Sequence, residues 1–250
     1  MKKRIYLILL SVPVIFFSCK DNSKFEEQLF TNHEITMVLR QCIDSAAFYT
    51  SNALCVVDST PNPKLGYSYF GSNSYRLQLP DAAANVVDTL LAHALDELDS
   101  LRINSLKDSV IRNMNTAAEL CGNDLMRRFW KTVSDSIVFP IPYATLHGGD
   151  HAITNFVKQT KQTEFISILV NSILVAQFKE LHVTTTWDAL QKEYFMITGI
   201  YSSIDILAPA AQQMVTGFFR KMAIEEADIR KNPSRWGRPT GLFYRVFATL

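Results

Sequence analysis

The chain predicts an all-α fold: a single multi-helix, bundle-like domain of about eight helices. Three observations carry that expectation. Apolar residues recur at steps of three and four through most of the sequence beyond residue 30. Helix-start signals stand just before several of those runs, Thr31-Asn32-His33-Glu34 being the clearest. No long stretch alternates apolar with polar residues as a half-buried strand does, and no repeat of fixed period occurs. Helices of this kind, joined by short loops, bury their stripes against one another.

Before the domain comes a leader. Lys2, Lys3 and Arg4 are followed by an apolar run from Ile5 to Phe17, then Ser18 and Cys19. The run is too short to span a bilayer as a helix, and its layout is that of an export signal. A Cys at the cleavage point resembles a bacterial lipobox, in which the thiol receives a diacylglycerol and the signal is cut before it. Residues 1–18 are therefore expected to be a lipoprotein signal peptide and 19–29 a lipidated polar tether, leaving 30–250 as the helical domain. Each buried methylene of an acyl chain contributes ~0.8 kcal/mol, and two or more chains on Cys19 make a stable anchor. The expected location is the periplasmic or outer-membrane side of a bacterial membrane. Loss of the cations Lys2, Lys3 and Arg4 takes the formal charge of +1 to −2, which argues against nucleic acid as a partner.

Thr31 and Glu34 form a capping box, and Ile35, Val38, Leu39, Ile43, Ala46 and Ala47 continue a helix to about Val57. Asp58 to Pro80 holds Pro, Gly and Tyr in alternation and reads as a packed loop or a small hairpin. Its aromatics either pack on the core or line a ligand site. Val87, Leu91, Ala94, Leu98 and Leu101 predict one amphipathic helix over Asp81–Leu101 with an acidic outer face. Ser105 is expected to cap the next helix, which Gly122-Asn123-Asp124 would break or kink, and Pro140 and Pro142 interrupt any helix near Phe139. Leu146 to Asp150 reads as one helix ending on Gly and another starting on an Asp cap. The uncharged run Phe165–Phe178 predicts a central buried helix, in which Ser167, Asn171 and Ser172 would bond across the core. Thr185-x-x-Asp188 starts a shorter helix, and Ser202-x-x-Asp205 is a further helix-start signal. The last long one runs from about Pro209 to Lys231 and stops at Asn232-Pro233, ahead of a loop and an apolar segment Leu242–Phe247.

With Cys19 acylated, Cys42, Cys55 and Cys121 remain. Cys42 and Cys55 lie on one helix ~20 Å apart, too far to pair. Buried free thiols are the expectation for all three.

Several segments, in this order, resemble a bacterial family catalogued as domain of unknown function 4197. They are Phe30-Thr31-Asn32-His33-Glu34-Ile35, Leu77-Gln78-Leu79-Pro80, Met114-Asn115-Thr116-Ala117-Ala118-Glu119, Gly148-Gly149-Asp150-His151-Ala152-Ile153-Thr154, Gly217-Phe218-Phe219, and Glu225-Glu226 with Ile229 to Pro233. The resemblance covers about residues 30–247 and implies a helical exported protein with no assigned activity. His147 departs from the family's Asn before Gly-Gly. Its upstream acidic residue is replaced within Pro140–Pro142, and the longer loop leaves both Arg235 and Arg238 as counterparts of its Arg.

Three clusters invite chemistry. His147-Gly148-Gly149-Asp150-His151 fits a zinc site, an anion site or a helix junction built from Gly and an Asp cap. The end of the chain carries Arg220, Lys221, Arg230, Lys231, Arg235, Arg238 and Arg245 against Glu225, Glu226 and Asp228. That excess suits either pairing with the acidic 81–99 helix or an anionic surface; within it, Glu226 and Arg230 have the i,i+4 spacing of an ion pair. Glu119 with Arg230 forms a candidate buried pair. Candidate ligand-binding residues are thus Glu119, Gly148, Gly149, Asp150 and Arg230, with Cys19 for lipid attachment. No catalytic motif occurs, and no metal or cofactor is assigned. The expectation is a membrane-anchored binding or interaction module for an envelope protein or small ligand. The alternative is an envelope enzyme with a polar interhelical site near Glu119, Asp150 and Arg230.

Overall fold

The N-terminal capping box forms as expected. Glu34 N–H donates to Thr31 Oγ1 at 3.2 Å, and Glu34 Oε2 accepts from Thr31 N–H at 2.8 Å. From it α1 runs over Asn32–Leu54 in the computed structural model, which describes residues 29–55, 66–68, 75–238 and 240–250, without the side chains of 123–129. The leader and all but the last residue of the tether lie outside the described residues. So does most of the 58–80 segment: Gly66–Ser68 forms a turn and Tyr75–Pro80 runs extended, with no strand among the described residues.

The remaining elements are α2 Asp81–Ala92, α3 Glu97–Asp135, α4 Pro142–Leu146, α5 Ala152–Ile168, a π-turn Leu169–Ile173, α6 Leu174–Glu180, α7 Val183–Thr198, α8 Leu207–Lys231, α9 Pro233–Trp236 and α10 Leu242–Phe247. The all-α expectation holds, with ten helices described because short ones flank the long ones.

The core sits between α1, α3, α5 and α8. Helix α1 buries Ile35, Val38, Leu39, Cys42, Ile43, Ala46 and Leu54 against α8 and α3. Each fully buried Leu or Ile contributes ~1.5–3 kcal/mol. Helix α3 runs antiparallel to α1. Arg40 Nη2 donates to Ile137 O, Trp130 Nε1 to Asp44 Oδ1 and Ser51 Oγ to Gly122 O, each at 2.9 Å. Phe165 meets Trp130 and Phe219 at centroid distances of 5.8 and 5.7 Å, joining α5 to α3 and α8.

Four boundaries differ from the expectation. First, Asp81–Leu101 is not one helix. It stops at Ala92, and Asp96 caps α3 by accepting from Asp99 N–H at 2.8 Å. Ser105 therefore lies inside α3, and Leu98 and Leu101 are exposed rather than on the core stripe. Second, Gly122 does not break α3, which continues through it to Asp135; it lets Cys55 approach the helix. Third, Phe165–Phe178 is not buried all round. The π-turn inserts one residue into the stripe, so Phe165, Leu169, Ile173, Leu174 and Phe178 face inward, and Ser167, Asn171 and Ser172 face solvent. Their bonds stay within the helix, Asn171 to Ser167 and Ser172 to Ile168 O, instead of crossing the core. No single helix among the described residues is long and apolar enough to cross a membrane. Fourth, Asp150 does not cap α5.

Two amides fix the extended 75–80 stretch. Asn115 accepts from Leu77 N–H at 2.7 Å and donates to Leu77 O at 3.0 Å. Gln213 does the same for Gln78, at 2.9 and 3.0 Å. The aromatics of this segment that are described pack on the core. Tyr67 is fully buried, its hydroxyl donating to Met214 O at 3.0 Å, and Tyr75 is buried beneath Arg220.

Cys42, Cys55 and Cys121 are buried and outside any disulfide among the described residues, as expected. Burial pushes the Cys121 thiol up to about 12 and holds Cys42 well above its ordinary value. In the native protein at pH 8 a chromogenic disulfide reagent should leave all three unmodified, and modify all three after unfolding in guanidinium. Rapid native labelling of any of them, mapped by peptide mass, would contradict this packing.

Candidate functional site

The polar residues singled out in the sequence meet in part, at the junction of α4, α5 and α8. Helix α8 passes Glu226 and Arg230, one turn apart, beneath the loop between α4 and α5. Both are buried, Glu226 to 1% and Arg230 to 9% exposure. The Glu226 carboxylate accepts from Ile153 N–H at 3.1 Å and Thr154 N–H at 2.7 Å, satisfying the open donors at the start of α5. Arg230 Nε donates to Glu226 Oε1 at 2.8 Å. Arg230 Nη1 donates to Leu146 O at 2.7 Å and Nη2 to Thr145 O at 3.4 Å, satisfying carbonyls at the end of α4. A carboxylate at a helix start and a guanidinium at a helix end each oppose the local dipole charge. One ion pair thus joins two helix termini to a third helix.

The glycines make the turn possible. A Cβ on Gly148 would stand 2.9 Å from Ala152 Cβ and 3.1 Å from Ala144 O, and Gly149 has φ +92°. Asp150 is exposed and pairs with Lys231 Nζ at 2.8 Å, which holds its carboxyl below the usual carboxylate range. It is not the cap of α5; Glu226 supplies that from another helix. The flanking histidines diverge. His147 stacks on Tyr143 at 4.2 Å, and His151 Nδ1 lies 2.9 Å from Ala223 O. No group of three His, Cys, Asp or Glu side chains among the described residues is placed to hold a metal ion.

Gly148, Gly149, Asp150 and Arg230 therefore surround one junction, and Glu119 does not join them. Glu119 Oε1 accepts from Ser68 N–H at 2.9 Å, and burial pushes its carboxyl up while the Ser68 bonds oppose the shift. The same turn carries Tyr67, which reaches Met214, about 24 Å along α8 from Arg230 at 1.5 Å per residue. The expected Glu119–Arg230 pair does not exist. Among the described residues no ion pair joins the C-terminal cations to the 81–99 acids. Lys221 pairs with Glu225, Arg230 with Glu226, Lys231 with Asp150 and Arg235 with Asp228, whereas Asp99 pairs with Arg102.

Open space lies elsewhere: one cavity, of about 640 Å³, is bounded by Phe178, Trp187, Phe195 and Tyr201, and two others run along the outer side of α1. The first of these two, of about 620 Å³, is bounded by Tyr49, Asn52, Ile224, Asp228 and Trp236. The second, of about 940 Å³, is bounded by α1 from Met37 to Tyr49 and by Arg238, Leu242 and Phe243. Tyr49 borders both, its ring edge-on to Trp236 at 4.4 Å. Asp228 accepts from Trp236 Nε1 at 3.1 Å and fixes the indole there. Sequence reasoning missed this trough. The exposed aromatics Phe48 and Tyr49, off the α1 stripe, were the signal available.

No curated protein and no solved structure matches the chain. One family model does, over residues 31–248, which is most of the chain and the whole of its helical body. That match shows that the chain belongs to the family: protein of unknown function, DUF4197.

Proposed function

We propose that the protein is an exported lipoprotein, cut before Cys19 and acylated on its thiol, and that its helical body is a binding module of the cell envelope. The leader supports the anchor: a basic start, an apolar run too short to span, and a Cys after a small residue. The observation that carries the second half is how the polar residues are used. Glu119 is engaged away from the junction that holds Asp150 and Arg230, and each of the three is tied up by a partner that holds the fold. Among the described residues, one accessible concave surface is a trough of aromatics and charges on α1, α8, α9 and α10, the composition of a recognition surface.

Cys19→Ala tests the anchor in cells fed an alkyne-tagged fatty acid. The wild type should carry the label and sediment with membranes. The variant should lose the label and leave the acylated, membrane-bound pool. Equal labelling of both would overturn the lipoprotein reading.

A further inference from the structure

We infer that the trough between α1 and the α9–α10 segment takes a single-chain anionic amphiphile, an alkyl chain ending in a phosphate or carboxylate. This inference rests on the binding reading above and names the ligand class for it. Its walls are apolar: Met37 and Phe48 on α1 are 53% and 47% exposed, and Leu242 and Phe243 face them from α10. An alkyl chain lying between them removes that surface from water. The volume of about 940 Å³ admits one chain and its head.

The charges select an anion. Arg40, Asp44 and Arg238 are the ionisable groups lining the trough. Asp44 already accepts from Trp130 Nε1. Arg40 reaches Ile137 O through Nη2, but its buried Nε has no hydrogen-bond partner. Arg238 is exposed and forms no ion pair among the described residues. Two guanidiniums against one carboxylate leave the trough a net positive charge, and an oxyanion beside the exposed Arg238 gains a charge-assisted bond in the geometry that suits Arg. A free inorganic anion would leave the apolar walls wet. An acidic peptide fits less well, because no strand among the described residues offers an edge to its amides.

The test uses the mature acylated protein in phosphatidylcholine nanodiscs and a photoreactive probe, dodecyl phosphate bearing a diazirine on its chain. Cross-links should map to Met37–Tyr49 or Leu242–Phe243. Unlabelled dodecyl phosphate should compete, while inorganic phosphate and uncharged dodecyl maltoside should not. Arg238→Ala and Arg40→Met should each lower labelling about tenfold, the loss expected of one charge-assisted bond. Arg238 is on the surface, so its variant keeps the test valid if Arg40→Met fails to fold, which circular dichroism reports. Labelling outside the trough, equal labelling of Arg238→Ala, or competition by the maltoside or by inorganic phosphate would each overturn the inference. Competition by phosphatidylglycerol in the disc would assign a two-chain bilayer lipid and overturn the single-chain ligand. Failure of the probe alongside normal Cys19 acylation refutes the ligand class and leaves the anchored module standing.

Discussion

Glu226→Ala should lower stability by about 3–5 kcal/mol, the cost of leaving a buried charge without its partner. The variant strands Arg230 at the α4 end and opens two donors, Ile153 N–H and Thr154 N–H, at the start of α5. No water-exposed group can replace the carboxylate, because Glu226 is only 1% exposed. The urea midpoint should fall accordingly, and Tm by about 10 °C. Glu226→Gln keeps an acceptor for the amides but loses the charge, and should fall between wild type and Ala. The double variant Glu226→Leu/Arg230→Met removes both charges together and should cost much less than the sum of the single changes. Additive losses would mean that the two side chains do not act as a pair.

The second large effect lies at Gly122. An added Cβ there would stand 1.6 Å from Cys55 Sγ and 2.6 Å from Cys55 Cβ. Two effects compete in Gly122→Ala. Alanine in a helix interior is favoured over glycine by about 1 kcal/mol. The overlap forces α1 and α3 apart at a buried crossing where Ser51 Oγ also bonds Gly122 O, and overpacking of that kind costs ~1–3 kcal/mol or more. The clash should win, because the obstructing atoms include a Cβ held by the backbone at the end of α1. Cys55→Gly in the same chain removes both overlapping atoms and leaves the Cys55 Cα at 3.8 Å, so it should restore part of the loss. If Gly122→Ala alone proves stabilising, α1 and α3 do not cross as closely as described.

What the sequence made legible was local. The capping box at Thr31 and the stop at Asn232-Pro233 need only neighbouring residues, and both stand where expected. Asp96 was legible in principle, since Asp96-x-x-Asp99 is a capping pattern. The continuous stripe through Leu91, Ala94, Leu98 and Leu101 masked it, and the cap won because it satisfies open N–H groups that a stripe cannot. The i,i+4 spacing of Glu226 and Arg230 announced an ion pair. It could not announce that the pair would serve residues 145–154, because nothing local links them. Asp150 looked like the α5 cap for the same reason: the true cap comes from more than 70 positions away. The amide clamps of Asn115 and Gln213 left no pattern at all. The trough was hidden because its walls come from both ends of the chain, α1 and α9–α10.

The most direct measurement is the intact mass of the protein extracted from its own membranes. A lipoprotein anchored at Cys19 begins at that residue, lacks residues 1–18, and carries the added mass of a diacylglyceryl group with or without an amide-linked acyl chain. A chain that retains residues 1–18, or begins at an unmodified Cys19, would contradict the anchored-module account.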